Sequence, residues 1–471
     1  MPANSWPEND SYKEVWSDLA SEDEGENLVP NPGNAPQSFY QGRRRKAAIV
    51  LTVVWSGTIA LHLLSWGTWL VLGFTGIMVI HAVRVLRALP ASVPVPLSDD
   101  TRDFWPSVSL LVSAKNEEAV IGKLVEGLCN LDYPPDLYEL WVIDDASTDS
   151  TPELLDKLQK DYPQLKVLHR NAGSSGGKSG ALNQVIPLTK GEFLAIFDAD
   201  ASVNPDLLRL VIPLFERPQV GAVQVRKAVS NPGVNFWTRG QVAEMALDSF
   251  FQQQRTALGG IGELRGNGEF IRRSALLRCG GFNEETITDD LDLTVRLHLD
   301  GWDIDFTLVP VYEEGVTNVR ALWHQRNRWA EGGHQRYLDY WPLLFRNRLG
   351  FRKSWDMLMF WIIQYFLPMA AVPDSLMAVI NSRLPVYSPI STLMLGMSLF
   401  AMFSGLRRIA KSERAIGDED LRFNVLSGVM QTVRGMIYML HWIVVMASVT
   451  ARMSVRQKRL KWVKTVHQGK V

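Results

Sequence analysis

The sequence predicts an α/β domain with a largely parallel sheet, set between apolar helical regions on either side. Three observations lead there. Between about residues 107 and 305, short β-prone runs alternate with helical patterns. Long apolar segments precede residue 90 and follow residue 350. Carboxylate-rich clusters stand directly behind several of the β-prone runs, where sheets of this kind bind ligands.

The bulk composition narrows the choice of function. Lys plus Arg number 49 against 50 Asp plus Glu in 471 residues, a net charge of −1, so no overall basic surface exists for general binding of nucleic acid. Cys129 and Cys279 lie too far apart for the paired spacing of a zinc site and read as buried thiols of a reducing compartment. Residues 1–40 are polar and acidic and read as a disordered tail, and the first apolar run begins too late for a signal peptide.

Residues 47–64 and 68–86 are apolar runs separated by Ser65-Trp66-Gly67. Each approaches the roughly 20 residues that cross hydrocarbon, so 41–90 reads as a transmembrane hairpin. Arg43-Arg44-Arg45-Lys46 opens the hairpin and Arg84 and Arg87 close it, which by the positive-inside rule places the following domain in the cytoplasm of a multi-pass membrane protein. Residues 332–354, with Tyr337, Tyr340 and Trp341, read as an interfacial helix and linker. Apolar segments return at 355–380, 386–406 and 424–450 within a membrane region 355–451, followed by a basic cytoplasmic tail at 452–471. The loop 407–422 and that tail are both basic and belong on one side, yet a single segment separates them. The last segment, with Arg434 inside it, is therefore expected to be interfacial or re-entrant.

Within the domain at 105–331, strands are expected at 108–112, 140–143, 167–169, 193–197 and 220–225, and helices at 118–129 and 151–160. Lys115-Asn116-Glu117 follows the first strand, Asp144-Asp145 the second and Asp198-Ala199-Asp200 the fourth. D-x-D recurs at Asp290/Asp292, Asp303/Asp305 and Asp418/Asp420, but these start a helix, precede a strand and lie in a loop. Side chains two apart on an extended chain point the same way, so Asp198 and Asp200 can meet one hard cation, Mg2+ or Mn2+, that faces a diphosphate. A solvated turn is the plainer alternative. The stretch NAGSSGGKSGALN, residues 171–183, fails the nucleotide-triphosphatase loop pattern because position 172 is Ala172; it remains a loop that sets Lys178 near phosphate before a helix starting around Gly180.

Two later stretches complete the set. In TITDDLDLTVRLHLDGW, residues 286–302, Thr288 is placed to N-cap a helix whose first turn holds Asp289 and Asp290. Asp290 is either a first-turn acid serving the helix or an ionised general base, weakened by the helix dipole. In WHQRNRWAEG, residues 323–332, Gln325, Arg328 and Trp329 share one helix face and Arg326 points away. An amide, a guanidinium and a flat ring on one surface suit a diphosphate beside a sugar, while the aromatic content also suits a membrane interface.

The ordered set Asp144-Asp145, Asp198-Ala199-Asp200, Thr288-Asp289-Asp290 and Gln325-Arg326-Asn327-Arg328-Trp329 resembles the membrane-embedded inverting glycosyltransferases of family 2, the group of cellulose and hyaluronan synthases. The resemblance covers about residues 107–331. It implies an α/β GT-A (Rossmann-like) cytosolic catalytic domain flanked by transmembrane helices, and a UDP-sugar donor. It further implies Asp145 at the uridine, Asp200 at the metal, Asp290 at the acceptor, Gln325 and Arg328 at the diphosphate and Trp329 near the acceptor; Glu117, Asp144, Lys178 and Asp198 join the donor-binding candidates. The family's Thr-Glu-Asp stands here as Thr288-Asp289-Asp290, and the F-x-V-T-x-K gating segment of cellulose synthases is missing between residues 330 and 355. In layout the chain is most similar to family members that glucosylate a membrane lipid, the cyanobacterial β-monoglucosyldiacylglycerol synthases.

The leading expectation is thus inverting transfer of glucose from UDP-glucose to diacylglycerol. A processive β-polysaccharide synthase is the alternative, for which the same motifs would serve and against which the missing gating residues weigh. A catalytically inactive membrane scaffold of the same fold would not need Asp290.

Overall fold

The computed structural model describes residues 42–90, 95–346, 348–416 and 423–456. The tail at 1–40, the Asp418/Asp420 pair and most of the basic tail lie outside the described residues. The chain opens with α1 (Arg43–Leu63) and α2 (Gly67–Arg87). There follow β1 (Val108–Ala114), α3 (Ile121–Cys129), β2 (Tyr138–Asp144), α4 (Thr151–Asp161), β3 (Leu165–His169), α5 (Gly177–Val185), β4 (Phe193–Phe197), β5 (Ser202–Val203), α6 (Leu207–Val211) and β6 (Val220–Val229). Next come α7 (Phe236–Ala257), β7 (Glu269–Arg272), α8 (Arg273–Arg278), α9 (Asp289–Leu299), β8 (Asp303–Glu313) and α10 (Val319–Phe345). Helices α11 (Gly350–Trp361), α12 (Leu367–Ile380), α13 (Ser388–Ile416) and α14 (Val425–Val455) complete it, with a π-helical turn, Ile362–Phe366, joining α11 to α12.

One eight-stranded sheet runs β3-β2-β1-β4-β7-β6-β8-β5. The half β3-β2-β1-β4 is parallel, because each strand returns through a helix that must recross the sheet. Beyond β4 the sheet is mixed, a departure from the largely parallel expectation: β7 runs antiparallel to both β4 and β6, and β5 antiparallel to β8. Residues 108–112 and 193–197 are buried throughout, as expected of strands covered on both faces. The pair Asp303/Asp305 begins β8 instead of preceding it. Both cysteines are buried and neither is in a disulfide.

Five helical segments among the described residues are long and apolar enough to cross a membrane: α1, α2, α11 through α12, α13 and α14. The domain is bonded to one end of the first four. Arg43 at the start of α1 holds Asp339 of α10 (Nε to Oδ1, 2.9 Å). Gln254 of α7 donates to the carbonyls of Val85 and Ala88 at the end of α2. Arg255 holds Asp356 of α11 (2.8 Å), and Arg226 of β6 holds Glu413 near the end of α13 (2.6 Å).

Helix α14 is tied to that side at both ends. Gln431 donates to Arg239 O at 2.6 Å, while Ser454 O accepts from Arg44 at the start of α1, at 3.0 Å. Helix α10 is continuous through residue 332, so the expected boundary between domain and interfacial helix falls within one rod.

Candidate active site

Parallel register brings the ends of β1, β2 and β3 level, with Ala114 beside Asp144 and Asp144 beside His169. The residues after each strand therefore share one edge. Asp145 accepts from Lys115 (3.4 Å) and from Arg170, whose guanidinium also holds the carbonyls of Ser175 and Gly177 and the side chain of Gln184. Asp144 is buried, bonded to His169 (2.9 Å) and to the Ser147 N–H (3.0 Å), so it shapes the turn beneath Asp145. Glu117 is also buried, its N–H donating to Thr151. Asn116 and Ala146 adopt φ of 56° and 54°, a region costly for residues with a Cβ, and the two strained positions flank this edge.

Helix α5 starts at Gly177, earlier than the expected Gly180, because Gly176 at φ 82° takes the left-handed conformation that turns the chain into it. Lys178 thus sits in the first turn and reaches Asp198 Oδ1 (2.6 Å) and Gly266 O (2.8 Å). Burial works to raise the Asp198 carboxyl, but Lys178, Lys227 and Arg328 hold it below the ordinary carboxylate range. Asp200 turns to the Glu314 N–H (3.0 Å).

Asp289 and Asp290 open α9 across the cleft, with Asp289 near Ser179 Oγ (3.4 Å). Thr288 occupies the N-cap position without capping: its side chain packs on Gly332 of α10, where an added Cβ would stand 2.3 Å from it. The requirement for close helix contact has displaced the expected cap. Burial first, then the neighbouring Asp289, push the Asp290 carboxyl up to about 6, against the pull of the Leu291 N–H, Lys178 and Arg265. The helix dipole was expected to make Asp290 a weak base; desolvation and like charge outweigh it. Glu269 on β7 is buried, bonded to the Gly266 N–H (2.6 Å), and raised to about 8 by burial, Asp290 and Asp289.

On α10, Arg328 lies within electrostatic reach of Asp198, Asp290 and Asp289, which support its charge against burial. Arg326 points away only in part. Its buried guanidinium binds Glu244 of α7 and Tyr438 of α14, yet also donates to Gln325 (2.6 Å) and stacks over Trp329 at 4.1 Å. Lys227 lies 5.3 Å from the same ring, so Trp329 is held between two cations.

The remaining D-x-D carboxylates are absorbed elsewhere. Asp292 binds Arg296 and Tyr340, Asp303 binds Lys353, and Asp305 binds Arg217. Sequence reasoning missed Arg170, Lys227, Arg265 and Glu269. Arg170 carried a signal, since it directly follows a β-prone run; a lone acid opening the short β7 carried none.

Fold and cleft together define a glycosyltransferase of the GT-A class. A family model described as glycosyltransferase like family 2 matches residues 106–332. The chain is 60% identical to the β-monoglucosyldiacylglycerol synthase of Trichormus variabilis, over 100% of this chain and 99% of that protein. It is 51% identical to the enzyme of that name from Synechocystis sp., over 99% and 97%. Among solved structures, the mannosyltransferase PcManGT from Pyrobaculum calidifontis in complex with GDP-Man and Mn2+ is similar in fold, with a TM-score of 0.52, 20% identity and coverage of 85% of this chain and 99% of that chain. The chain belongs to glycosyltransferase family 2.

Proposed function

We propose that this protein transfers glucose from UDP-glucose to the hydroxyl of diacylglycerol, with inversion, at the cytoplasmic face of a membrane. The observation that carries the proposal is the gathering of Asp198, Lys178, Asp290 and Arg328 in one electrostatic cluster beside helices able to enter a bilayer. Full-length relatives with that enzyme name support the substrates.

In this reading Asp145, held by Lys115 and Arg170, receives the uridine, and Arg328 with Gln325 receives the diphosphate. Asp290 accepts the proton of the attacking hydroxyl, and a carboxyl near 6 is ionised at neutral pH while remaining basic enough for that task. One displacement at the anomeric carbon turns an α-linked donor into a β-linked product. Glu269, raised to about 8, is neutral beneath Asp290 and spares the cleft another negative charge.

The carboxylates of Asp198 and Asp200 fit a divalent cation in chemistry: they are hard oxygens from one strand end, and Asp198 already draws an ammonium group. Among the described residues no group of three or more His, Cys, Asp or Glu side chains is arranged to hold a metal, so the donor's phosphates would have to complete the shell of a Mg2+ or Mn2+. Bound there, the ion would neutralise charge on the departing UDP.

The test is incubation of purified protein with labelled UDP-glucose and dioleoylglycerol, with products resolved by mass spectrometry. A β-glucosyl lipid of one sugar is expected. A polysaccharide without glycolipid would replace this reading with the processive one.

A further inference from the structure

A cavity of about 600 Å³ lies outside the cleft, between the β6/β8 pair, α7 and α13. Its wall is mixed, the larger part apolar, with Val229 of β6, Val242 and Met245 of α7, Pro310 of β8, and Leu406 and Ile409 of α13. The four helix residues are half-buried and face this space in place of a packed core. One end is polar. Lys227 lines the cavity there, pairs with Glu313 (2.7 Å) and lies over the Trp329 ring, so a single side chain borders both the cavity and the cleft. At another point of the wall the Arg226–Glu413 pair (2.6 Å) joins β6 to α13.

We infer that this cavity is the acyl-chain site of the lipid acceptor. The inference rests on the proposed glucosyl transfer to diacylglycerol and adds where that substrate is held. Three features suit a hydrocarbon chain. Apolar side chains supply most of the wall, and burial of a chain there gains roughly 25 cal/mol per Å² of apolar surface. The volume lies within the range of roughly 300–1,000 Å³ usual for small-molecule sites. One wall is a helix apolar enough to enter a bilayer, and the same helix exposes Leu399 and Phe400 at 36% and 53%, so the cavity adjoins a surface suited to hydrocarbon. With the chain lodged there, the glycerol end emerges beside Lys227 and Trp329, on the side facing Asp290.

The experiment fills the cavity. Met245→Trp and Ile409→Trp, on two different walls, are each assayed in the full-length protein with dioleoylglycerol and with dioctanoylglycerol, and UDP binding is measured as a check of folding. Loss of a well-fitted apolar contact changes kcat/KM by roughly 10–200-fold. Both variants should therefore lose at least tenfold on the long-chain acceptor and much less on the short one, shifting chain-length preference in the same direction. Equal loss on both acceptors with UDP binding intact, or no change on either, would overturn the acyl-site assignment while leaving glucosyl transfer standing. Failure of the unmodified protein to glucosylate either lipid would instead remove the reading on which the assignment rests. Should one variant fail to fold, the other decides, and a diacylglycerol carrying a photoreactive group at its chain end should label α7 or α13 in the unmodified protein.

Discussion

Replacement of Asp290 by asparagine should stabilise the protein at neutral pH while removing its activity. In the folded chain the carboxyl lies near 6 against an ordinary value of 3.8, because burial and Asp289 disfavour its charge. One pKa unit corresponds to about 1.4 kcal/mol, so ionisation of Asp290 costs the fold about 3 kcal/mol at most. The sign follows from linkage: a group raised on folding contributes stability that is fully present below its unfolded value and is lost as pH rises through the folded one. Asparagine is exempt from that loss, and the favourable pull of the Leu291 N–H at the start of α9 is already contained in the value near 6. A gain of up to about 3 kcal/mol is expected. Thermal unfolding in detergent at pH 7.5 and pH 5 measures it: Asp290→Asn should melt higher than the parent at pH 7.5, and the gap should narrow to about half at pH 5, which lies between the unfolded and folded values. Turnover should fall by roughly 10²–10⁴ with UDP binding retained. A variant that melts lower at pH 7.5, or whose gap ignores pH, would refute the electrostatic account. One that turns over within tenfold of the parent would refute the role as base.

The pH profile of kcat/KM should lose activity as pH falls through about 6, and Asp289→Asn should move that limb to lower pH, since it removes the like charge that raises Asp290. Arg326→Ala leaves Glu244 buried against Tyr438 and Trp442 without its guanidinium and should destabilise by roughly 3–5 kcal/mol, read as a drop in melting temperature that Glu244→Gln in the same chain partly restores. Chelation with EDTA should abolish glucosyl transfer, with recovery on added Mg2+ or Mn2+, and Asp200→Asn should raise the metal concentration needed for half-maximal rate.

The parts of the cleft that could be read from sequence are those where one strand or one helix dictates direction. Residues 193–197 are apolar without interruption because β4 is covered on both faces, and the chain that leaves such a strand must present Asp198 at its end. Helical spacing likewise separated Arg326 from Arg328 and Trp329, and Arg326 does reach toward α7 and α14. What spacing could not convey is the length of an arginine, which lets Arg326 pair with Glu244 and still return to Trp329. Thr288 shows a related limit: the local pattern asked for a cap, but Gly332, 44 positions later by its number, admits the side chain into a helix contact. Lys227 was illegible because its partners Glu313 and Trp329 lie far away in the chain, and Glu269 because the carboxylates that perturb it stand on another element. The course of α14 was posed by the basic stretches around it, and the contacts that bear on it, Gln431 to Arg239 and Arg44 to Ser454, join residues far apart in the chain.

A lipid hydroxyl arrives at a depth fixed by the bilayer, so a base that serves it must be held at a fixed height over the membrane helices. Buried charge supplies that constraint here. Glu263 sits among Arg255 (3.4 Å), Arg265 (2.9 Å) and Arg336 (2.7 Å), and these three guanidiniums hold its carboxyl well below the usual range despite its burial. Arg255 continues to Asp356 of α11, which also accepts from the Ile261 N–H, and Arg265 continues to Asp248 of α7. Three cations thus meet three carboxylates, with Glu263 fully buried among them and Asp248 at the solvent edge, an arrangement in which removal of a cation leaves Glu263 uncompensated. The loop between α7 and β7 that carries Glu263 and Arg265 also carries Gly266, whose carbonyl receives Lys178. A tilt of α11 relative to the sheet would break this chain of bonds before it moved the cleft, so α11, the loop and the Lys178–Asp198 pair are held as one unit. Apolar packing alone would let the domain slide over the helices at small cost; paired charges, which are directional and expensive to separate, do not.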